Sequence, residues 1–101
     1  MFYKVLKLHD LVENKEVKFE REVLLENSDS SLNVIYLKKD EMIDTHASHA
    51  NACAIVFEGE AEFHFNAEKF VLKKGELIMF KKDEEHRVLA LKDTKFLLAK
   101  I

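Results

Sequence analysis

Three histidines carry the chemistry this chain could perform: His46 and His49 upstream of Gly59, and His86 downstream of Gly75. A neutral imidazole nitrogen ligates divalent metals and exchanges hydrogen bonds with small molecules, so imidazoles brought to one point make a binding or catalytic site. The two glycines are the only ones in the 101 residues. Each sits where a strand should turn, inside Phe57-Glu58-Gly59-Glu60-Ala61-Glu62-Phe63 and inside Lys73-Lys74-Gly75-Glu76-Leu77-Ile78. Two strand-and-turn blocks thus carry imidazoles toward a common mouth.

Side-chain direction limits which histidines can meet. Alternate residues of a strand share a face, so in an extended Asp44–Ala52 segment Ser48, Ala50 and Ala52 point with His46, and His49 points away unless a bulge or loop reorients it. His86 follows the polar run Lys81-Lys82-Asp83-Glu84-Glu85 and opens Arg87-Val88-Leu89-Ala90-Leu91, a strand-start position from which a side chain reaches a barrel mouth. His46 and His86 are therefore expected to face one pocket. His9 and His64 are read as structural, His64 on the exposed face of Ala61-Glu62-Phe63-His64-Phe65-Asn66, whose alternation buries Ala61, Phe63 and Phe65.

The elements that must position these groups are short apolar runs separated by polar turns: Ala54–Phe57, Ala61–Phe65, Phe70–Leu72, Leu77–Phe80, Val88–Leu91 and Phe96–Ala99. The gaps suit hairpins and are too short for crossover helices, which implies an antiparallel sheet closed into a barrel or sandwich. Leu32–Leu37 continues the pattern after the turn cluster Ser28-Asp29-Ser30-Ser31. Leu8–Val12 reads as a helical turn. Val17–Glu26 fits an amphipathic helix or a strand, and Val17–Leu25 is taken as strand.

Composition bounds the rest. At 101 residues, 48% apolar and 35% charged, the chain holds one folded domain, 1–101. Its net charge of −3 and interleaved lysines exclude a phosphate-binding stripe and hence nucleic acid. No apolar run spans a bilayer and no secretory signal opens the chain, which places the protein in the cytoplasm and off the membrane. Cys53 is the sole cysteine and reads as a small buried thiol. Glu58, Glu60 and Glu62 read as a solvated edge, and Phe63, Phe65, Phe80 and Phe96 as core.

At these residues the chain resembles the cupin superfamily, specifically its small single-domain members, over roughly residues 32–101. The first cupin motif corresponds to Asp40-Glu41-Met42-Ile43-Asp44-Thr45-His46 through Phe57-Glu58-Gly59-Glu60-Ala61, and the second to Gly75-Glu76-Leu77-Ile78-Met79-Phe80-Lys81-Lys82-Asp83-Glu84-Glu85-His86. The resemblance implies an all-β fold, a single antiparallel β-barrel of the jelly-roll type. Residues 32–101 form the conserved barrel and 1–31 form N-terminal strands or a dimer arm. Registered on Gly59, His46 falls on the family's first histidine, Ser48 on its second and Ala52 on its Glu or Gln. His86 keeps its place, whereas Lys81 and Asp83 replace the turn proline and glycine, and Ala90 replaces an Asn.

The resemblance implies two functions. One is a binding module holding a small polar ligand, a sugar or a carboxylate, through His46, Ser48 and His86, with no cofactor. The other is a metal-dependent cupin enzyme, an isomerase or dioxygenase type, holding Fe, Mn, Zn or Ni through His46, His86 and His49. The choice turns on His49: facing inward it completes a three-nitrogen site, and facing outward it leaves the pocket metal-free. A homodimer is expected, because a barrel this small leaves sheet edges to cover and Phe2–Leu8 is apolar enough to add to a partner's sheet.

Overall fold

A computed structural model describes residues 3–13 and 16–101. Among them are nine strands: β1 (Phe19–Glu26), β2 (Ser31–Leu37), β3 (Met42–His46), β4 (Ala52–Glu58), β5 (Glu60–Phe65), β6 (Glu68–Lys73), β7 (Leu77–Phe80), β8 (His86–Ala90) and β9 (Thr94–Lys100). They form a five-stranded sheet ordered β1-β2-β9-β4-β7 and a four-stranded sheet ordered β3-β8-β5-β6. Every pairing is antiparallel. The two sheets face each other as the jelly-roll barrel expected from the sequence. The helical turn is a single 3₁₀ turn, Leu8–Asp10. The ambiguous segment is strand because it pairs with β2, Glu20 opposite Tyr36 and Glu22 opposite Val34; tertiary pairing decides what its periodicity could not.

The interior follows from alternation. Ile35, Leu37, Ala54, Val56, Ala61, Phe63, Leu72, Val88, Ala90 and Phe96 are buried between the sheets, and Phe63 meets Phe96 edge-on with centroids 5.6 Å apart. Burying one such phenyl stabilises by about 2–3 kcal/mol. Outside the larger sheet, Leu11 and Val12 cover Val34 and Tyr36, so residues 8–13 strap one end of its outer face. Under the strap, Glu20, Tyr36, Lys95 and Glu58 stand opposite one another across β1, β2, β9 and β4.

Lys95 is buried there. Its Nζ donates to the His9 carbonyl at 2.9 Å and ion-pairs with Glu58 at 3.3 Å and Glu13 at 3.6 Å. Three sequence expectations change accordingly. Glu58, Glu60 and Glu62 are half-buried and paired with Lys95, Lys73 and Lys69 respectively, not a freely solvated edge. His64 is half-buried, 3.0 Å from Glu62, because neighbouring side chains on that face enclose it. Cys53 is half-buried, not buried: it lies one residue out of phase with the core residues Ala52 and Ala54 and so faces out of the barrel.

The chain changes sheets at Gly59, the one residue between β4 and β5. Its φ is +88°, and a Cβ there would lie 2.8 Å from the Thr94 Cα and Oγ1. Thr94, itself fully buried, uses its hydroxyl to accept from the Glu60 N–H at 3.2 Å, with the Lys92 and Glu60 carbonyls 2.7 and 3.0 Å away as acceptors. Gly75 has the same φ, yet nothing lies within 4 Å of its missing Cβ. The two glycines thus separate strain from collision. Gly75→Ala is expected to destabilise by about 1–2 kcal/mol, the left-handed penalty alone. Gly59→Ala adds a clash with backbone and should exceed about 3 kcal/mol. Urea unfolding of both variants checks this; equal losses would refute the contact at Thr94.

Candidate functional site

His46 and His86 reach each other through a defect in the sheet. In the β3–β8 ladder Ile43 stands opposite Val88, and the next described pair is His46 with His86. Three steps along β3 are matched to two along β8, so β3 carries a bulge. Regular pairing would have put Thr45 opposite His86; the extra residue brings His46 there instead and lets it share the inward face of Ile43. The ring centroids lie 4.2 Å apart, tilted by 59°. His86 is 5% exposed, whereas His46 sits at the open end.

Hydrogen bonding fixes the chemistry of both rings. Nδ1 of His46 lies 2.8 Å from the Asp44 carbonyl, and Nδ1 of His86 lies 2.9 Å from the Glu84 carbonyl. A carbonyl only accepts, so each Nδ1 carries a proton, and the neutral form of either ring has its lone pair on Nε2. No hydrogen bond from the described residues reaches either Nε2. Burial holds the His86 imidazole below its ordinary range, with the His46 ring and Lys100 adding to the effect and the Glu84 carbonyl opposing it.

Aromatic rings complete the site. Phe65 stacks on His86 at 5.3 Å and 25°, Phe80 lies 4.5 Å from it, and the two phenyls are 5.2 Å apart. Both end strands at the mouth, Phe65 opposite His86 and Phe80 opposite Ala52. Both are half-buried. The sequence marks both as core and gives no sign of this role beyond their position as the last residue of an apolar run.

Ser48 and His49 lie elsewhere. The segment 47–51 is loop, not extended strand. The Ser48 hydroxyl accepts from the Ala50 N–H at 3.2 Å, and its carbonyl accepts from the Asp83 N–H at 2.8 Å. Asp83 adopts φ +68°, supplying the left-handed turn residue where the sequence has no glycine. Ser48 and His49 line a groove of about 770 Å³ with Asn51, Lys82, Lys100 and the β1–β2 turn.

Among the described residues no group of three or more His, Cys, Asp or Glu side chains could hold a metal ion. The three-nitrogen site that the sequence allowed is thus not formed. The bulge serves His46, and His49 stays in the loop beyond it. Two imidazoles without a third protein donor do not fit a catalytic metal, which ordinarily takes three.

The Cupin domain family model matches residues 33–99. The chain belongs to the cupin family. No curated protein matches this cupin, but solved structures do. A cupin superfamily protein from Desulfitobacterium hafniense superposes with a TM-score of 0.90 at 17% identity, covering 100% of this chain and 93% of the other. A conserved protein of unknown function from Streptococcus pyogenes gives 0.86 at 23%, covering 100% and 89%. KdgF from a Halomonas species gives 0.76 at 17%, covering 82% and 80%. At these identities the likeness is one of fold. No helix of the described residues is long and apolar enough to cross a membrane.

The buried imidazole of this cupin predicts a pH dependence. Its pKa is lowered in the fold, so the unfolded chain takes up this proton first, near pH 6.5. The stability contributed by neutral His86 is complete above that value and is lost as the pH falls below it, by at most about 1.4 kcal/mol per pH unit. Urea unfolding across pH should show the wild type losing stability faster than His86→Gln on acidification. Parallel curves would overturn the assignment.

Proposed function

We propose that this cupin binds a small hydroxyl-bearing ligand, a sugar or similar polar molecule, at the barrel mouth between His46 and His86. The observation that carries the reading is the pair of Nδ1–H donors spent on the chain's own carbonyls. With both protons committed, the two adjacent Nε2 atoms are acceptors, and a ligand must donate to them. A hydroxyl does so; a carboxylate, which accepts only, suits Lys82 and Lys100 in the neighbouring groove instead. Ser48 lines that groove and would meet a ligand only where it extends from the imidazole pair into it.

Long-range ¹H–¹⁵N spectra at pH 7.5 test this directly. Both rings should appear as Nδ1–H tautomers, and glycerol, myo-inositol or phenol should move both Nε2 resonances in the wild type but not in His86→Ala. An Nε2–H tautomer in either ring, or shifts confined to residues 26–31, 82 and 100, would refute the reading.

We further propose a homodimer. Tyr3 and Val5 are 83% and 96% exposed in a segment that packs no side chain into either apolar cluster of its own chain, and covering them with the sheet of a second copy removes apolar surface from water. Phe2, also assigned to this arm, lies outside the described residues. Sedimentation at micromolar concentration should show a dimer that Tyr3→Asp with Val5→Asp dissociates. A wild-type monomer would overturn it.

A further inference from the structure

Beside the histidines the barrel is split. β6 pairs only with β5 and β7 only with β4 among the described strands, although a short turn at Gly75 joins them. The two strands therefore diverge into different sheets, leaving a cleft of about 420 Å³ between their free edges. That is within the range of sites that enclose small molecules, roughly 300–1,000 Å³.

Its lining is graded. Leu72 and Leu77 lie at the end near the Gly75 turn. Phe70, Ile78 and Met79 follow, and Phe65 and Phe80 stand at the mouth with Lys81 and Glu84. The last two phenyls are the ones packed on His86, at 5.3 and 4.5 Å, and the Glu84 carbonyl is the partner of its Nδ1. The apolar cleft thus ends on the rings that flank the imidazole pair. An acceptor pair at one end and an apolar slot at the other match a molecule with a hydroxyl head and an apolar body.

We infer that the ligand of this cupin is an amphiphile of that kind, an aromatic or otherwise flat apolar body bearing a hydroxyl, with the body between β6 and β7 and the hydroxyl at His46 and His86. This rests on the binding reading given above and narrows it from polar molecules at large to hydroxylated apolar ones. Phe65 and Phe80 offer ring faces and edges, which favours a planar aromatic body over a flexible chain. The head must donate, which favours the alcohol or phenol over the corresponding carboxylate.

The probe is 2-naphthol, compared with phenol and 2-naphthoate by NMR titration of the full chain. 2-Naphthol should bind at least about tenfold more tightly than either, a difference of about 1.4 kcal/mol. It should shift the amides of residues 70–72 and 77–80 together with the His86 ring. Phe70→Asp, at a side chain already 42% exposed, and His46→Ala should each weaken it about tenfold; Leu77→Asp, at a side chain 50% exposed, is a second cleft variant should the first fail to fold.

Binding that His46→Ala weakens but neither cleft variant does would overturn the inference and leave the mouth reading standing. Binding that only the cleft variants weaken would also overturn it, by making the cleft a separate site. Preference for 2-naphthoate, or no binding of 2-naphthol while glycerol or myo-inositol still moves the Nε2 resonances, refutes the apolar body alone. Loss of every response, polyols included, refutes both readings.

Discussion

The barrel depends on one close approach, that of the Gly59 backbone to Thr94. A chain that passes from one sheet to the other in a single residue must fold back with a positive φ, and here it does so against the first residue of β9. β9 lies between β2 and β4 in its sheet, so its start fixes the registers on both sides. Thr94 ties that start to Glu60 at the beginning of β5. From this point β4 runs back toward Ala52 and β5 runs on to Phe65, and the lengths of the two strands set where their far ends stand. Those ends carry the mouth: Ala52 faces Phe80, and Phe65 faces His86. Geometry at the base of the barrel is thus transmitted to the site by strand length and register, through ladders too cooperative to slip by one residue without turning the core outward.

A second irregularity does at the mouth what the glycine does at the base. The bulge in β3 between Ile43 and His46 alters that strand's parity against β8. Its effect is chemical, because it replaces a threonine by an imidazole opposite His86. Each imidazole then donates to a carbonyl two residues back in its own chain, Asp44 for His46 and Glu84 for His86. The same local bond made twice orients two rings alike with respect to their backbones, and two acceptors result from two backbone choices. The lowered pKa of His86 comes first from its burial, and the His46 ring 4.2 Å away adds to it.

Most of the barrel was legible in the sequence, because alternating burial leaves a period of two that is readable without partners. Each run from Ala54 onward falls in a strand, save that Leu91 lies one residue beyond the end of β8, and Gly59 and Gly75 mark turns with positive φ. The convergence of His46 and His86 was legible too, once the runs were laid out as strands. What was not legible depends on pairing. The bulge was considered for His49, yet it falls at Ile43–His46, since a register shift is defined by the partner strand and no local residue announces it. Phe65 and Phe80 read as core because their alternation is core-like; only the end of the neighbouring strand shows that they wall a site. The half-burial of Glu58 and Glu62 was missed for the same reason, as Lys95 and Lys69 reach them across strands.

Lys95 shows why unsatisfied groups must be weighed with their access. A buried ammonium is tolerated only when its charge is met, and here the His9 carbonyl, Glu58 and Glu13 meet it. The neighbouring Tyr36 hydroxyl has no hydrogen-bond partner among the described residues, and burial, with Asp93 and Glu58 adding to it, raises its pKa and keeps it protonated. By count of unmet polar atoms this end of the barrel rivals the mouth. The difference is the strap: Tyr36 is 1% exposed beneath Leu11 and Val12, so no solute reaches it without displacing residues that Lys95 itself anchors. At the mouth His46 is exposed, and His86 lines a small polar cavity of about 280 Å³ with Thr45, His64 and Arg87. An unpaired group sealed in the fold is a cost that the core absorbs; one left beside a cleft is free to recognise a ligand, and in this barrel that distinction falls at the two ends of the same strands.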